Sequence, residues 1–313
     1  MDRLPRRGRG VSRRGLALFG VMCVIWGIPY LLIKIAVGGM SPATLVWMRT
    51  GIGAVLLLPV ALARRELRPV LPAWRPILAY TACELGVPWL LLSEAETRLS
   101  SSLSGLLIAA VPLIGALLAW VTRSEHRVDA RRAGGLLLGL AGVAVLIGFD
   151  ISARDLGAVG EVGVCALGYA LGPMIVSRWL SGLPSVGVVT ASLLVTAVAY
   201  APAGIVQLGG AHLTGAVVGS AVTLGVVCTA TAFVLFFALI AEIGPVRATI
   251  ITYFNPAVAL LLGVMVLGEP LTAAVIGGFA LILAGSYMAT RGGSAATGRR
   301  AAAAVDAEAE RAG

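Results

Sequence analysis

Two charged residues, Arg49 and Glu84, lie within stretches that are otherwise apolar enough for the interior of a lipid bilayer. Arg49 is part of TLVWMRTGIGAVLLLPVALA, and Glu84 is part of YTACELGVPW. Charged side chains at such a depth are rare and almost always face the interior of a helix bundle, so both residues are candidates for a functional site. A guanidinium group there can bind an anionic part of a substrate, and a buried carboxyl group can take up a proton and couple transport to it.

Both residues also have explanations that need no substrate. Arg49 lies about 9 Å and Glu84 about 13 Å from the predicted outer ends of their helices, at 1.5 Å per residue, so on antiparallel neighbours they can form an ion pair. Arg49 can also snorkel outward along its own helix. A central arginine costs ~2.5–3.5 kcal/mol on insertion, whereas the nine Leu, Ile and Val residues of its helix contribute about −3 to −5 kcal/mol.

Aromatic and amide side chains in the apolar runs are further candidates for lining a substrate path. Trp47 and Trp89 lie near the predicted outer ends of their helices, where aromatic belts form at the membrane surface. Asn255 is a rare amide in an apolar helix and suits a hydrogen bond to a substrate or to a neighbouring carbonyl group. Beside the two charges, we assign four side chains to the path: Trp26, Tyr30, Tyr253 and Asn255.

Prolines within the apolar runs indicate places where helices bend. Pro112 and Pro256 lie deep in their runs, where each removes a backbone hydrogen bond. The freed carbonyl groups are tolerated at membrane depth where they line a cavity or are satisfied by neighbours. We interpret both prolines as hinges flanking the substrate path, although proline is in any case commoner in membrane helices than in soluble ones.

The composition indicates an integral membrane protein. Of the 313 residues, 58% are hydrophobic and only 12% are charged, with a mean hydropathy of +0.95, whereas a soluble domain carries about 25% charged residues. The four cysteines and two histidines have no metal-ligand or disulfide spacing, so we expect neither a metal nor a cofactor. No catalytic motif indicates an enzyme. A P-loop needs Gly-Lys-Ser/Thr, and the only lysine, Lys34, lies in LLIKIAV.

Ten apolar runs are long enough to cross a bilayer, which takes about 20 residues. The predicted fold is therefore an all-α membrane protein with ten transmembrane helices. The first run is too long for a signal peptide and is interpreted as a retained helix. The runs lie near residues 16–36, 43–63, 73–93, 100–121, 132–149, 157–179, 186–206, 214–240, 247–267 and 272–290.

The distribution of basic residues predicts the orientation in the cytoplasmic membrane. With the N-terminus in the cytoplasm, 20 arginines fall on the inner side and only Arg98 and Arg154 on the outer side. This bias places both termini in the cytoplasm. The net charge of +9 therefore indicates contact with anionic lipid, and we expect no binding to nucleic acid.

Shifting the chain against itself by 144 residues shows an internal repeat. The shift superposes kinking prolines, loop acids and small residues: Pro29 on Pro173, Gly38 on Gly182, Ser41 on Ser185, Pro112 on Pro256, Glu125 on Glu269 and Gly134 on Gly278. We therefore predict two five-helix halves at 16–149 and 157–290, preceded by a basic cytoplasmic segment at 1–15. A disordered cytoplasmic tail is predicted at 291–313.

Because five is odd, the second half must enter the membrane from the opposite side. Inverted repeats around a midplane site are the architecture of many secondary transporters, in which exchanging the conformations of the halves gives alternating access. A duplicated membrane protein with a static role is the alternative.

Several segments resemble the EamA family of the drug/metabolite transporter superfamily. VIWGIPYLLIK is similar to its first helix, WMRTG to its second, and IAAVPLIGALLAW to its fourth. The most specific segment, ITYFNPAVALLLGVMVLGEPLTAAVIGGFALILAG, is similar to the last two helices. The resemblance covers 16–290, although WVTRSEHRV in the first half departs from the family's usual LGEPLT-like turn.

The resemblance implies secondary active transport of small metabolites, amino acids or drugs, as an exporter or an importer, and of the two directions we favour export. The expected partners are a small-molecule substrate and membrane lipid, with either a monomer or a homodimer as the working form. A non-transporting membrane scaffold or sensor is the alternative. Transport predicts a cavity near the midplane lined by Trp26, Arg49, Tyr253 or Asn255, whereas a scaffold predicts a packed interior.

Overall fold

The computed structural model describes residues 12–121, 130–150 and 153–290. These residues are helical almost throughout and contain no strand, and ten helices among them are long and apolar enough to cross a bilayer. The prediction of ten transmembrane helices is thereby confirmed. The predicted tail at 291–313, most of the basic segment at 1–15 and Glu125 lie outside the described residues.

The helices follow one another through short connections. They are α1 (Arg13–Val37), α2 (Pro42–Ala63), α3 (Arg68–Arg98), α4 (Ser101–Val121), α5 (Ala130–Gly148), α6 (Leu156–Leu180), α7 (Ser185–Leu208), α8 (Gly215–Ile243), α9 (Thr249–Leu267) and α10 (Ala273–Thr290). Helix α3 is longer than the predicted 73–93 at both ends. It starts with a 3₁₀ turn at Arg68–Ala73 that contains two prolines, and it continues through a polar stretch to Arg98.

Large apolar side chains cover the outside of the bundle. Val206 and Met265 are each 80% exposed, and many further valines and leucines share this outward position. In water such an apolar surface would be an aggregation hazard. In a membrane it faces the lipid tails, as expected for an integral membrane protein.

The packing of the helices has the two-fold pattern that the repeat predicts. Helix α2 packs against α7, α4 against α9, and α5 against α10, so each of these helices contacts its own repeat partner. Helix α1 packs against α8, and α3 packs against α6. Exchanging the halves converts the α1–α8 pair into the α6–α3 pair, so the set of contacts is unchanged. The two halves are therefore related by a pseudo-two-fold axis.

Small residues bring α5 and α10 close together. A Cβ atom added to Gly135 would lie 2.6 Å from the backbone nitrogen of Ala289, and one added to Gly142 would lie 2.7 Å from the carbonyl oxygen of Gly278. Gly135 and Gly142 lie seven residues apart and so share one face of α5, and small residues on such a face let helix backbones approach closely. These glycines hold the two halves together through α5 and α10.

Candidate functional site

Helix α2 places Arg49 in the interior of the bundle. The Ser41 hydroxyl accepts the amide of Thr44 at 3.2 Å, and Pro42 occupies the first turn, so the helix begins sharply at this point. Arg49 follows about 10 Å farther along the axis. The residue is only 6% exposed, which rules out the position along the lipid surface that snorkelling requires.

Arg49 connects the two halves of the protein. Its Nε donates a hydrogen bond to the hydroxyl of Thr229 on α8, at 3.0 Å. Its guanidinium carbon lies 3.6 Å from the centre of the Trp89 ring on α3. A cation over an indole face is attracted by the ring quadrupole, and more strongly where water is excluded. One side chain thus contacts Thr229 in the second half and Trp89 in the first.

Four more side chains lie close enough to Arg49 to act on it electrostatically. They are Tyr169 on α6, Cys228 on α8, Tyr30 on α1 and Glu96 on α3. Of the predicted path residues, Tyr30 therefore lies beside Arg49. Together with Trp89 and Thr229, these residues form the cluster that we call the Arg49 site.

Glu84 lies near the Arg49 site but does not pair with the arginine. Within the described residues the ion pairs are Arg64–Glu66 and Arg98–Glu161, so the predicted Arg49–Glu84 ion pair is absent from them. The Glu84 carboxyl group packs against Gly172 on α6, and one of its oxygens is buried without a hydrogen-bond partner. Tyr169 lies within electrostatic range of both Glu84 and Arg49 and so connects the two charges.

Two π-helical turns mark the same level of the bundle in both halves. One is Thr81–Gly86 in α3, which contains Glu84, and the other is Val226–Thr231 in α8, which contains Thr229. The 144-residue shift places them one residue apart and superposes Glu84 on Cys228. Such turns often occur at functional sites, because they redirect side chains within a helix. No residue pattern in the sequence indicated them.

Trp26 lies apart from the Arg49 site. It occupies the turn at residues 26–28 that interrupts α1, and its ring contacts Phe236 and Phe233 on α8 with centroid separations of 4.6 and 6.1 Å. The aromatic cluster explains why a large indole is accommodated there. Phe233 is the repeat partner of Trp89, so Trp26 contacts the position in the second half that is equivalent to Trp89 in the first.

Tyr253 and Asn255 lie at the start of α9. The Tyr253 hydroxyl forms a hydrogen bond with the Thr290 hydroxyl at 3.1 Å, near the predicted cytoplasmic end of α10. In the orientation that satisfies its amide, Asn255 donates to the carbonyl groups of Ile251 at 2.9 Å and Cys23 at 3.2 Å. Asn255 thereby ties α9 to α1, one of the two uses that we expected of it.

The predicted hinge prolines follow equivalent interruptions. Helix α4 breaks between Ser101–Ile108 and Val111–Val121, and Pro112 is the second residue after the break. In α9 a 3₁₀ turn at Thr249–Tyr253 gives way to an α-helix at Asn255, with Pro256 in its first turn. Both prolines therefore mark a change of helix geometry at the same place in each half.

Sequence reasoning misplaced Trp89 and overlooked Thr229. The prediction that Trp89 belongs to an aromatic belt is wrong, because the residue is buried beneath the Arg49 guanidinium. The predicted end of the helix at residue 93 put Trp89 too close to the surface, whereas the helix continues to Arg98. Thr229 gave no signal, since threonines are common in membrane helices.

Both halves hold the corner between α3 and α4 at the predicted outer side. Lys34 on α1 donates from Nζ to the carbonyl groups of Glu96 and Leu99, each at 2.7 Å. Glu269, after α9, accepts the amides of Ser101 at 2.7 Å and Ser102 at 2.9 Å. A cation at a helix C-terminus and a carboxylate at an N-terminus both complement the helix dipole. We call this arrangement the outer corner.

Two cavities open at the ends of the bundle. The larger, about 480 Å³, lies at the predicted outer side between the α1–α2 and α7–α8 connections. The smaller, about 340 Å³, is lined by residues around Arg65 and Arg68 at the predicted inner side. Neither is lined by Trp26, Arg49, Tyr253 or Asn255, so the midplane cavity predicted from the sequence corresponds to neither. Arg49 is enclosed by its neighbours in this conformation.

Comparisons with known proteins agree with the architecture. The model of the EamA-like transporter family matches residues 13–148 and 162–291, one range in each half. The chain is 24% identical over 287 residues to the uncharacterized transporter YvbV of Bacillus subtilis, covering 90% of this chain and 92% of that protein. It is 28% identical over 286 residues to the uncharacterized inner membrane transporter YedA of Escherichia coli K12, covering 83% and 86%.

A solved crystal structure has the same fold. It matches with a TM-score of 0.62 at 23% sequence identity, and the match covers 88% of this chain and 96% of that one. The similarity extends over almost the whole length of both chains, including both halves of the bundle.

Proposed function

We propose that this chain, which belongs to the EamA-like transporter family and is an integral membrane transporter, works as a secondary active carrier. It moves small metabolites, amino acids or drugs across the cytoplasmic membrane by alternating access, in the direction of export, with both termini in the cytoplasm. The proposal of export rests on the family resemblance, and the orientation rests on the arginine bias.

The buried Arg49 guanidinium carries the proposal. Within the described residues it forms no ion pair, and its one hydrogen bond comes from Nε. The two terminal amino groups remain available for an anionic substrate, and a guanidinium binds carboxylate with two parallel hydrogen bonds. Because Thr229 and Trp89 hold Arg49 from opposite halves, a substrate bound there would lie where alternating access requires it.

The surroundings of Arg49 favour an amino acid as substrate. Glu84 and Arg49 both lie within electrostatic range of Tyr169. In this proposal Arg49 binds the carboxylate of the substrate, and Glu84 binds its ammonium group. Tyr30 and Trp89 then contact the apolar part. This arrangement uses the unpartnered Glu84 oxygen, which otherwise has no explanation.

We assign the remaining predicted residues to the path rather than to the binding site. Trp26, Tyr253 and Asn255 lie along α1 and α9 toward the predicted cytoplasmic side, where a route to Arg49 would open. Pro112 and Pro256 allow α4 and α9 to bend during that opening, because each helix already breaks next to its proline.

Substrate exchange in proteoliposomes tests the proposal. Vesicles loaded with single unlabelled compounds from a panel of amino acids, nucleosides and cationic drugs are diluted into the labelled compound, with and without a pH gradient. We expect exchange of at least one amino acid. Arg49→Gln should lower this exchange about 100-fold, which corresponds to about 2.7 kcal/mol, because the anion-binding group is lost. Arg64→Gln, on the exposed α2–α3 connection, is the matched control.

Two results would contradict the proposal. If no compound exchanges although the protein is monodisperse and folded, the alternative of a scaffold or sensor takes its place. If exchange by Arg49→Gln equals that of the wild type, Arg49 has a structural role only. The direction is measured separately, by comparing accumulation in inside-out and right-side-out membrane vesicles.

A further inference from the structure

Glu96 is a fully buried carboxyl group without a partner. It is 0% exposed, and within the described residues neither of its carboxyl oxygens has a hydrogen-bond donor. The hydroxyl groups of Ser101, Ser102 and Ser104 on the following helix are also buried without a partner, but a hydroxyl group carries no charge, whereas a carboxyl group can. An ionised carboxylate in such a place must be balanced by a cation or neutralised by a proton.

The basic groups near Glu96 do not supply that balance directly. The Lys34 ammonium donates to the backbone carbonyl group of Glu96, not to its carboxyl oxygens. The charged and titratable groups that face Glu96 are Lys34 and Tyr30 on α1, Arg49 on α2, Cys165 on α6 and Glu269 after α9. Glu269 accepts two amides at the helix N-terminus that it caps, and a negative charge on Glu96 would be unfavourable beside this second carboxyl group.

A proton fits this place better than a metal ion. Metal ions such as Ca²⁺ need several oxygen ligands at once. Because no hydroxyl or amide group of the described residues reaches either Glu96 oxygen, a metal ion bound to that carboxyl would lack further ligands. The Lys34 ammonium next to the site also repels a second cation. A proton needs only the carboxyl oxygen itself.

We propose that Glu96 is the proton-binding site that couples this transporter to a proton gradient. The proposal rests on the proposed transport function. In the present conformation Glu96 is neutral, and the outer corner is closed by Lys34 and Glu269. Loss of the proton leaves a carboxylate that repels Glu269 and attracts the Lys34 ammonium away from the two carbonyl groups, so the outer corner opens.

The direction of proton movement follows from this arrangement. When the outer corner is open, the Glu96 carboxylate takes up a proton from outside, and the corner closes. The same proton leaves to the cytoplasm after the inner side has opened. One proton thus enters for each transport cycle, and substrate moves outward through the Arg49 site. Glu84, which the sequence indicated for proton coupling, then remains available to the substrate ammonium group.

Labelling with N,N′-dicyclohexylcarbodiimide tests Glu96 without any substrate. This reagent adds the O–H group of a protonated carboxyl across its C=N bond, and the adduct rearranges to a stable N-acylurea that mass spectrometry locates. We expect purified full-length protein to be labelled at Glu96. Above its midpoint the labelled fraction should fall about tenfold per pH unit, as for one proton. Glu96→Gln should lose this label, whereas Glu94→Gln, which changes an exposed residue on the same helix, should keep it.

Several outcomes would overturn the proposal. Absence of label on Glu96 at every pH, or label on Glu84 instead, removes Glu96 as the proton site. Protection by sodium chloride but not by choline chloride shows that a metal cation occupies the site. These results come from the wild-type protein, so they hold even if Glu96→Gln fails to fold.

A transport measurement separates this proposal from the proposed function. Glu96→Gln stays neutral and so keeps the outer corner closed, and we expect it to lose both exchange of substrate and accumulation driven by a pH gradient, whereas Glu94→Gln should keep both. If wild-type vesicles show neither exchange nor accumulation, the transport function fails while the labelling result stands. If Glu96→Gln accumulates substrate like the wild type, the coupling role fails and transport stands.

Discussion

Arg49 and Leu193 occupy equivalent positions on α2 and α7, two helices that pack against each other. Both are buried, and Leu193 is 0% exposed. Arg49 contacts Trp89 and Thr229, whereas Leu193 packs among apolar residues that include Val189. The same backbone position thus holds a cation in one half and a hydrocarbon in the other. In the proposed mechanism the two equivalent halves allow the exchange of conformations, and Arg49, which is present in one half only, binds the substrate.

The two π-helical turns show the same relation. Their backbones are alike, but Thr81–Gly86 contains Glu84 where Val226–Thr231 contains Cys228. The first half therefore carries the acid of the proposed site, and the second half supplies the hydroxyl group that orients Arg49. Repetition preserved the helix distortion, and divergence placed a different side chain on each copy.

Making the two halves alike by placing an arginine at Leu193 should have the largest effect on the free energy of unfolding. Leu193→Arg would bury a guanidinium among apolar residues without a partner, which costs about 3–5 kcal/mol. We expect the variant to lose at least that much unfolding free energy, measured by SDS titration with tryptophan fluorescence. Leu193→Met, which conserves volume, should cost less than about 1.5 kcal/mol.

Arg49→Leu is the reciprocal change and sharpens the comparison. It removes a buried charge, so we expect unfolding free energy close to that of the wild type while substrate exchange is lost. If Leu193→Arg were as stable as the wild type, packing would not be what restricts the charge to the first half.

Glu269→Ala tests a second asymmetry, at the outer corner. The Glu269 carboxylate caps the N-terminus of α4 through the amides of Ser101 and Ser102. The repeat partner of Ser101 is Pro245, which has no amide hydrogen, so this contact cannot be repeated in full. Losing such a cap costs about 0.5–2 kcal/mol, and we expect the apparent Tm in detergent to fall accordingly.

The matched control for that change is Glu94→Ala, which removes an exposed carboxyl group from α3 and should leave Tm unchanged. Equal Tm values for Glu269→Ala and the wild type would show that the corner is held by packing alone. Lys34→Met, which removes the cation from the other side of the corner, would then become the decisive variant.

The number of helices and the repeat could be predicted from sequence because both depend on long-range patterns. Apolar length identifies a membrane helix, and a proline or a turn residue keeps its place in both copies. The breaks before Pro112 and Pro256 follow from the missing amide hydrogen. The pairing of Pro29 with Pro173 was less informative, since α1 breaks before Pro29 while α6 continues through Pro173 to Ile175.

The site could be predicted only where a charge interrupts an apolar run. Arg49 is conspicuous for that reason. Glu96 was overlooked because SEAETR has the composition of a loop, and the predicted helix ended before it. In the structure α3 continues through this stretch and its corner with α4 turns Glu96 inward. Which face of a helix is buried depends on its neighbours, and those contacts are tertiary.

The smallest expected effect on substrate exchange distinguishes the binding site from the substrate path. Tyr253 contacts Thr290 at the predicted cytoplasmic end, whereas Tyr30 lies beside Arg49. Tyr30→Phe removes a hydroxyl group in the Arg49 site and should lower exchange about 2- to 10-fold, the value of one net hydrogen bond. Tyr253→Phe should change exchange less than about twofold, since the hydroxyl group that it removes contacts Thr290 and not the Arg49 site. Measured side by side in the same vesicles, a larger loss for Tyr253→Phe than for Tyr30→Phe would move the substrate site from Arg49 toward α9 and α10.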